Sequence, residues 1–301
     1  MQQILNVLDF VKVYLDDILI HSENIDDHIQ HYKIVLERLK NHNVKINFDK
    51  SKFIQYEVKY FGFIISNQGI KADIDKIDNI RNLHEPQNVK QLQKFLGFVN
   101  WFRDFLPDLS KILIPLTDKL KNNSKSFEWT KKDEIIRIKI FNLISKQVLL
   151  SHLDYTKKFE LYSDVSDVGL SALLFQGNRL IATYSYKLLS AERNYTTVEK
   201  ELLAIVKGIK HFKNMIWGYQ ITVYTDSKNL TYLDSPSNQR ITHWKIALSK
   251  YDLTFIHVEE SRNIAADYMS RFVNDNPSSH SLMIIESDMS KNLISIDDVI
   301  H

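Results

Sequence analysis

The sequence predicts an α+β unit followed by a mixed-sheet α/β unit. Three observations lead there. Hairpin-like apolar patterns occupy residues 1–72, and helical periodicity replaces them over 73–155. From residue 156 the order becomes strand, strand, strand, helix, strand, in which a helical crossover makes the flanking strands parallel.

In the first unit, Val11, Val13 and Tyr14 lead into Leu15-Asp16-Asp17, and Ile18, Leu19 and Ile20 lead out. Two apolar runs around two acids read as a hairpin with Asp16 and Asp17 at its tip. A helix follows, with Ile29, Ile34, Val35 and Leu39 on one face. Residues 58–71 read as a second hairpin, turning at Asn67-Gln68-Gly69. Val89, Leu92, Phe95, Leu96, Val99 and Phe102 then form a helical stripe, punctuated by Pro86, Pro107 and Pro115.

In the second unit the predicted strands are 158–164, 168–176, 179–187, 220–225 and Leu253 to Val258. The helix between the third and fourth runs over 197–213, with Val198, Leu202, Ile205, Ile209 and Phe212 as its buried stripe. Beyond Phe272 the run Asn-Asp-Asn-Pro-Ser-Ser-His-Ser reads as linker, so 273–301 is expected to be disordered.

Composition excludes several function classes. With 44% hydrophobic and 25% charged residues the chain is globular in character, and no run approaches the ~18 apolar residues of a membrane span. The absence of cysteine removes disulfides, thiolate zinc sites and cysteine nucleophiles, and suits a reducing compartment. A net charge of +2 gives little global attraction for nucleic acid. Locally, residues 119–139 hold seven Lys or Arg against three acids, with Phe127 and Trp129 among them. Such a segment either tracks a phosphate backbone or is a solvated connecting helix.

The carboxylates of the second unit carry the chemistry. Asp164 and Asp226 each end an apolar strand, where side chains line the ligand-binding crevice of a parallel sheet. Two carboxylates there repel unless a proton or a cation lies between them. Glu201 lies on the edge of the helix's buried stripe and needs a partner. Its rival Glu199 is explained by the capping box Thr196-Thr197-Val198-Glu199. Asp267 is a fourth acid in an apolar, helix-like stretch. Four carboxylates without cysteine suit magnesium or manganese, and two such ions about 3.5–4 Å apart activate water against a phosphodiester. Spacing alone leans towards a metal-dependent nuclease without settling it.

Tyr162-Ser163-Asp164-Val165-Ser166-Asp167, Glu199-Lys200-Glu201-Leu202-Leu203-Ala204, Tyr224-Thr225-Asp226-Ser227 and Ala266-Asp267-Tyr268-Met269-Ser270-Arg271 resemble, in order, the ribonuclease H domain of gypsy-type (Metaviridae) LTR retrotransposons. The resemblance implies a ribonuclease H-like fold over 156–272. It makes Asp164, Glu201, Asp226 and Asp267 catalytic ligands of two Mg2+ ions, with Mn2+ as the alternative, cutting the RNA strand of an RNA–DNA hybrid. Glu259-Glu260 stands where the family has a Pro-Gly turn.

Tyr14-Leu15-Asp16-Asp17 similarly resembles the palm hairpin of reverse transcriptases, Tyr60-Phe61-Gly62-Phe63-Ile64-Ile65-Ser66 their primer-gripping hairpin, and Val89 to Gly97 with Phe127-Glu128-Trp129-Thr130 the thumb and connection. That implies a partial palm at 1–72 with Asp16 and Asp17 as polymerase metal ligands, and a thumb and connection at 73–155. In the family a third palm carboxylate and the fingers precede the hairpin, so the polypeptide by itself is expected not to polymerise DNA. Primer-template nucleic acid and RNA–DNA hybrid are the implied partners, with an integrase downstream and no membrane. The implied location is the cytoplasm, within virus-like particles, and the nucleus. The alternatives are a non-catalytic nucleic-acid-binding remnant, and a structural subunit that dimerises with a full-length polymerase.

Overall fold

The computed structural model describes residues 2–60, 62–73, 85–121, 127–145, 148–225 and 239–258. A short helix α1 (Gln2–Leu5) precedes β1 (Val11–Tyr14) and β2 (Asp17–Ile20), which pair antiparallel from Val11↔Ile20 to Tyr14↔Asp17. Helix α2 (Ile25–Asn41) starts where Asn24 accepts a 2.8 Å bond from the Asp27 amide, with Asp26 and Asp27 favourable at its positive end. Val35 and Leu39 are buried against Leu5 and Val11. Ile34, expected on that face, is exposed, because the inward stripe follows Val35 and Leu39 instead.

The second hairpin expected over 58–71 is a three-stranded antiparallel meander: β3 (Glu57–Tyr60), β4 (Phe63–Ser66) and β5 (Gly69–Ala72). Its additional reversal contains Gly62 at φ 82°, a conformation that costs glycine little. Leu150 bridges onto the free edge of β5, with Ile70 N–H donating to Leu150 O at 2.7 Å and Leu150 N–H returning to Ile70 O at 2.9 Å. Gly69 is required there: at φ 144° an added Cβ would stand 2.2 Å from Leu150 O.

Among the described residues four α-helices follow: α3 (Val89–Trp101), α4 (Leu109–Ile112), α5 (Ile114–Lys119) and α6 (Lys131–Ser145). The predicted stripe holds, since Leu92, Phe95, Leu96, Val99 and Phe102 pack with Leu109, Leu116, Ile140 and Ile144 in one core. In the described part of the basic 119–139 segment, three of the basic side chains are paired with acids. Lys119 reaches Asp133 at 2.6 Å, Lys121 reaches Asp118 at 2.9 Å, Arg137 reaches Glu134 at 2.7 Å, and Phe127 and Trp129 pack on the core. Among the described residues no helix is long and apolar enough to cross a membrane.

The α/β unit comprises β6 (Phe159–Val165), β7 (Gly169–Gln176), β8 (Arg179–Lys187), α7 (Ser190–Arg193), α8 (Thr197–Ile216), β9 (Gln220–Thr225), α9 (Gln239–Leu248) and β10 (Asp252–His257). The sheet order is β10-β9-β6-β7-β8, with β6–β9 and β9–β10 parallel and the remaining pairs antiparallel. Leu202, Ile205, Ile209 and Phe212 of α8 cover one face, on Phe159, Leu161, Ala172 and Val223. Gly208 lets the helix approach so closely that a Cβ there would meet Ala172 Cβ at 2.8 Å.

The opposite face, Tyr162, Leu173, Phe175 and Leu180, packs on Phe105, Val148 and Leu150, with Phe63 and Ile70 of the meander. The outer edge of β8 is hydrogen-bonded to the helical segment. Thr183 Oγ1 donates to Asp104 O at 2.9 Å, Arg103 Nη1 to Ser185 O at 3.1 Å, Ser110 Oγ to Ser185 O at 2.9 Å, and Lys187 Nζ to Asp118 Oδ1 at 2.9 Å.

Candidate active site

Asp164 is the penultimate residue of β6, on the strand whose parallel neighbour β9 sets Tyr224 beside Tyr162. Both strands therefore reach the same end of the sheet. Helix α8 returns the chain to the start of β9, so its first turns lie at that end too. Two contacts tie it there. Lys200 Nζ pairs with Asp167 Oδ1 at 3.0 Å, and Val165 packs beside Leu203 and Ala204. Glu201, between them, is 8% exposed. The fold thus brings the strand end of Asp164 and the buried turn of Glu201 together. Asp226, next after Thr225, and Asp267 lie outside the described residues. Among the described residues no group of three or more metal-ligating side chains converges.

Glu199 is taken up structurally, as its sequence context indicates. Its Oε2 accepts from Thr196 N–H at 2.9 Å and Thr196 Oγ at 3.1 Å, and its Oε1 from Arg240 Nη1 at 2.7 Å. Arg240 lies 3.9 Å from the Tyr195 ring centre, which fixes the start of α8 against α9. His257 ends β10 in register with Thr225, near the same sheet end.

Lys111 is the residue that sequence reasoning missed. Its Nζ lies 2.7 Å from Asp164 Oδ2 and 2.9 Å from Asp108 Oδ1. Burial works against the charge, but the two carboxylates outweigh it and raise the ammonium pKa above its ordinary value. No sequence signal marks this contact: Asp108 and Lys111 read as an ordinary helical pair, and Asp164 is 53 residues away.

In the first unit Leu15 and Asp16 form the turn, with Leu15 at φ 50°, while Asp17 opens β2. The tip is therefore one residue earlier than the doublet suggests. Both acids are exposed. Tyr60 of the meander is raised above its ordinary pKa by burial and then by the charges of Asp17 and Tyr14.

Two family models match. One, an RNase H-like domain found in reverse transcriptase, covers residues 154–251; the other, reverse transcriptase (RNA-dependent DNA polymerase), covers residues 1–65. The Transposon Tf2-3 and Tf2-7 polyproteins of Schizosaccharomyces pombe are each 34% identical over 276 residues, 88% of this chain. The chain belongs to the reverse transcriptase and RNase H-like region of LTR-retrotransposon polyproteins. It spans 21% of the length of those relatives.

The fold of this reverse transcriptase–RNase H region matches solved structures. A foamy viral protease-reverse transcriptase in complex with double-stranded DNA aligns at TM-score 0.78 and 23% identity, over 85% of this chain and 47% of that one. The foamy viral enzyme in complex with RNA/DNA hybrid aligns at TM-score 0.76 and 21% identity, over 98% and 39%. The RNase H-like domain thus contains Asp164, Glu201 and Asp226, and the reverse transcriptase match contains Asp16 and Asp17. Asp267 lies beyond the matched residues.

Proposed function

We propose that the RNase H-like domain cleaves the RNA strand of RNA–DNA hybrids, using divalent ions held by Asp164, Glu201, Asp226 and Asp267. The observation that carries this reading is the joint position of Asp164 and Glu201. One lies at the carboxyl end of a strand with a parallel neighbour, and the other is a buried acid at the adjoining helix start. Glu199, the neighbouring candidate, is engaged in a capping box and an arginine pair.

The residues fit a hard divalent cation, since their donors are carboxylate oxygens and a cation, the Lys111 ammonium, already stands 2.7 Å from Asp164. When bound, such ions supply an activated water and stabilise the leaving oxygen of the phosphodiester. The chain's own part is to hold the acids rigidly. Asp164 is fixed by the β6–β7 ladder and Glu201 by burial of the α8 stripe. The foamy viral complex with RNA/DNA hybrid supports that substrate class. We assign Asp16 and Asp17 to a polymerase centre of the longer polyprotein, with primer-template as its partner.

The test is cleavage of a labelled hybrid by the purified chain with and without Mg2+, repeated with Asp226→Asn. Magnesium-dependent cleavage that vanishes in the variant while hybrid binding persists is the expected result. No cleavage by the unmodified chain would favour a nucleic-acid-binding remnant.

A further inference from the structure

We propose that Lys111 is a positioning residue that occupies the cation side of Asp164 in the ion-free protein and sets how tightly the site takes up divalent ions. The inference rests on the reading of Asp164 as a metal ligand. Lys111 belongs to α4, outside the RNase H-like match of residues 154–251, so it is a contribution of the helical segment to the neighbouring domain's site.

Three features show a built contact. Lys111 is mostly buried, at 19% side-chain exposure. Its stem packs on Gly169, where an added Cβ would stand 2.9 Å from Lys111 Cγ. The missing side chain therefore leaves room for the lysine stem. Finally, Asp108 adopts a left-handed backbone, φ 56°, that is uncommon for a non-glycine residue. Its buried Oδ1 lies 2.9 Å from Lys111 Nζ, so a second carboxylate holds the ammonium.

The pair of acids gives the ammonium two resting places. With no ion bound, Lys111 neutralises Asp164 and restrains its rotamer. When a divalent ion takes the same carboxylate, the two cations repel at short range, and Asp108 is the group that retains the lysine. Lys111 thus opposes ion binding, while Asp108 relieves that opposition.

Mn2+ titration of the full chain without nucleic acid, followed by electron paramagnetic resonance, tests this without relying on turnover. Lys111→Met is expected to bind Mn2+ about tenfold more tightly, and Lys111→Arg close to the unmodified chain. Unchanged or weaker binding by a folded Lys111→Met variant overturns the proposal. Should Lys111→Met fail to fold by circular dichroism, Asp108→Asn decides. It leaves the lysine to Asp164 alone and is expected to weaken Mn2+ binding about tenfold, whereas unchanged or tighter binding overturns the proposal. Asp164→Asn separates the two levels. If Mn2+ binding survives that change, the metal-ligand reading fails and the inference falls with it. If binding is lost there but does not respond to Lys111 or Asp108, the inference alone fails.

Discussion

Arg240 donates through Nη1 to Glu199 Oε1 at 2.7 Å, and this contact separates two glutamates only two residues apart. Glu199 binds the fold together, while Glu201, buried on the same helix, is the acid we assign to the metal site. Glu199→Ala removes a buried carboxylate that serves a helix cap and an arginine, and is expected to cost about 2–4 kcal/mol. Urea unfolding should register that loss, with hybrid cleavage retained in the folded fraction. Glu201→Gln should do the reverse, abolishing cleavage at nearly unchanged stability. Equal effects on both observables for the two variants would contradict the division.

Gly69→Ala forces a methyl group against Leu150 O, 2.2 Å away, at a backbone angle that side chains rarely adopt. The meander and residue 150 must then separate. A loss of about 1–3 kcal/mol is expected from the backbone strain. Chemical denaturation measures it, and a neutral result would mean that the Ile70–Leu150 bridge contributes little.

Arg103→Ala deletes the guanidinium that bonds Ser185 O and the Ser110 hydroxyl at 3.1 and 3.2 Å. Ser185 O keeps Ser110 Oγ, so the loss should be modest, about 1–2 kcal/mol. Limited proteolysis is the sharper probe. Cuts within 103–120 should accelerate relative to cuts within the sheet, and a uniform increase would indicate global destabilisation instead.

Acid sensitivity follows from two aspartates. For Asp133 burial raises the carboxyl pKa, but bonds from Lys119 and Thr130 overcome it and hold the value below the ordinary one. Asp118 is lowered chiefly by its bond from Lys187, and then by Lys121. A pKa depressed by folding contributes stability above the unfolded value and loses it as pH falls through the folded value. Thermal stability should therefore hold down to about pH 4 and decline below it, where an ordinary aspartate titrates. In Asp133→Asn the melting temperature should start lower and fall less steeply on acidification. A parallel curve would rule Asp133 out as a contributor.

Much of this arrangement is legible in the sequence, for identifiable reasons. The strands from 158 to 187 are long apolar runs, and the stripe from Val198 to Phe212 has one period, so burial alone dictates them. The capping box of Glu199 is local and equally readable. What escaped was non-local or ambiguous. Phe61-Gly62-Phe63 hides a chain reversal inside an apolar run, so three strands read as two. The basic segment at 119–139 looked available to phosphate because the pairing of Lys119 with Asp133, 14 residues on, has no signal in the local pattern. The Lys111–Asp164 contact spans 53 residues and two structural units, beyond any periodicity.

The lining of β8 bears on where the RNase H-like domain can be separated from its neighbours. The family match starts at residue 154, yet Arg103, Ser110 and Asp118 serve the outermost strand, and Phe105, Val148 and Leu150 cap the face of Leu173 and Phe175. A polypeptide starting at Asp154 would leave a bare strand border and a greasy flank open to water, inviting self-association. Evolutionary modules and autonomous folding units need not share a frontier, and the contacts of this domain's sheet reach back to Arg103.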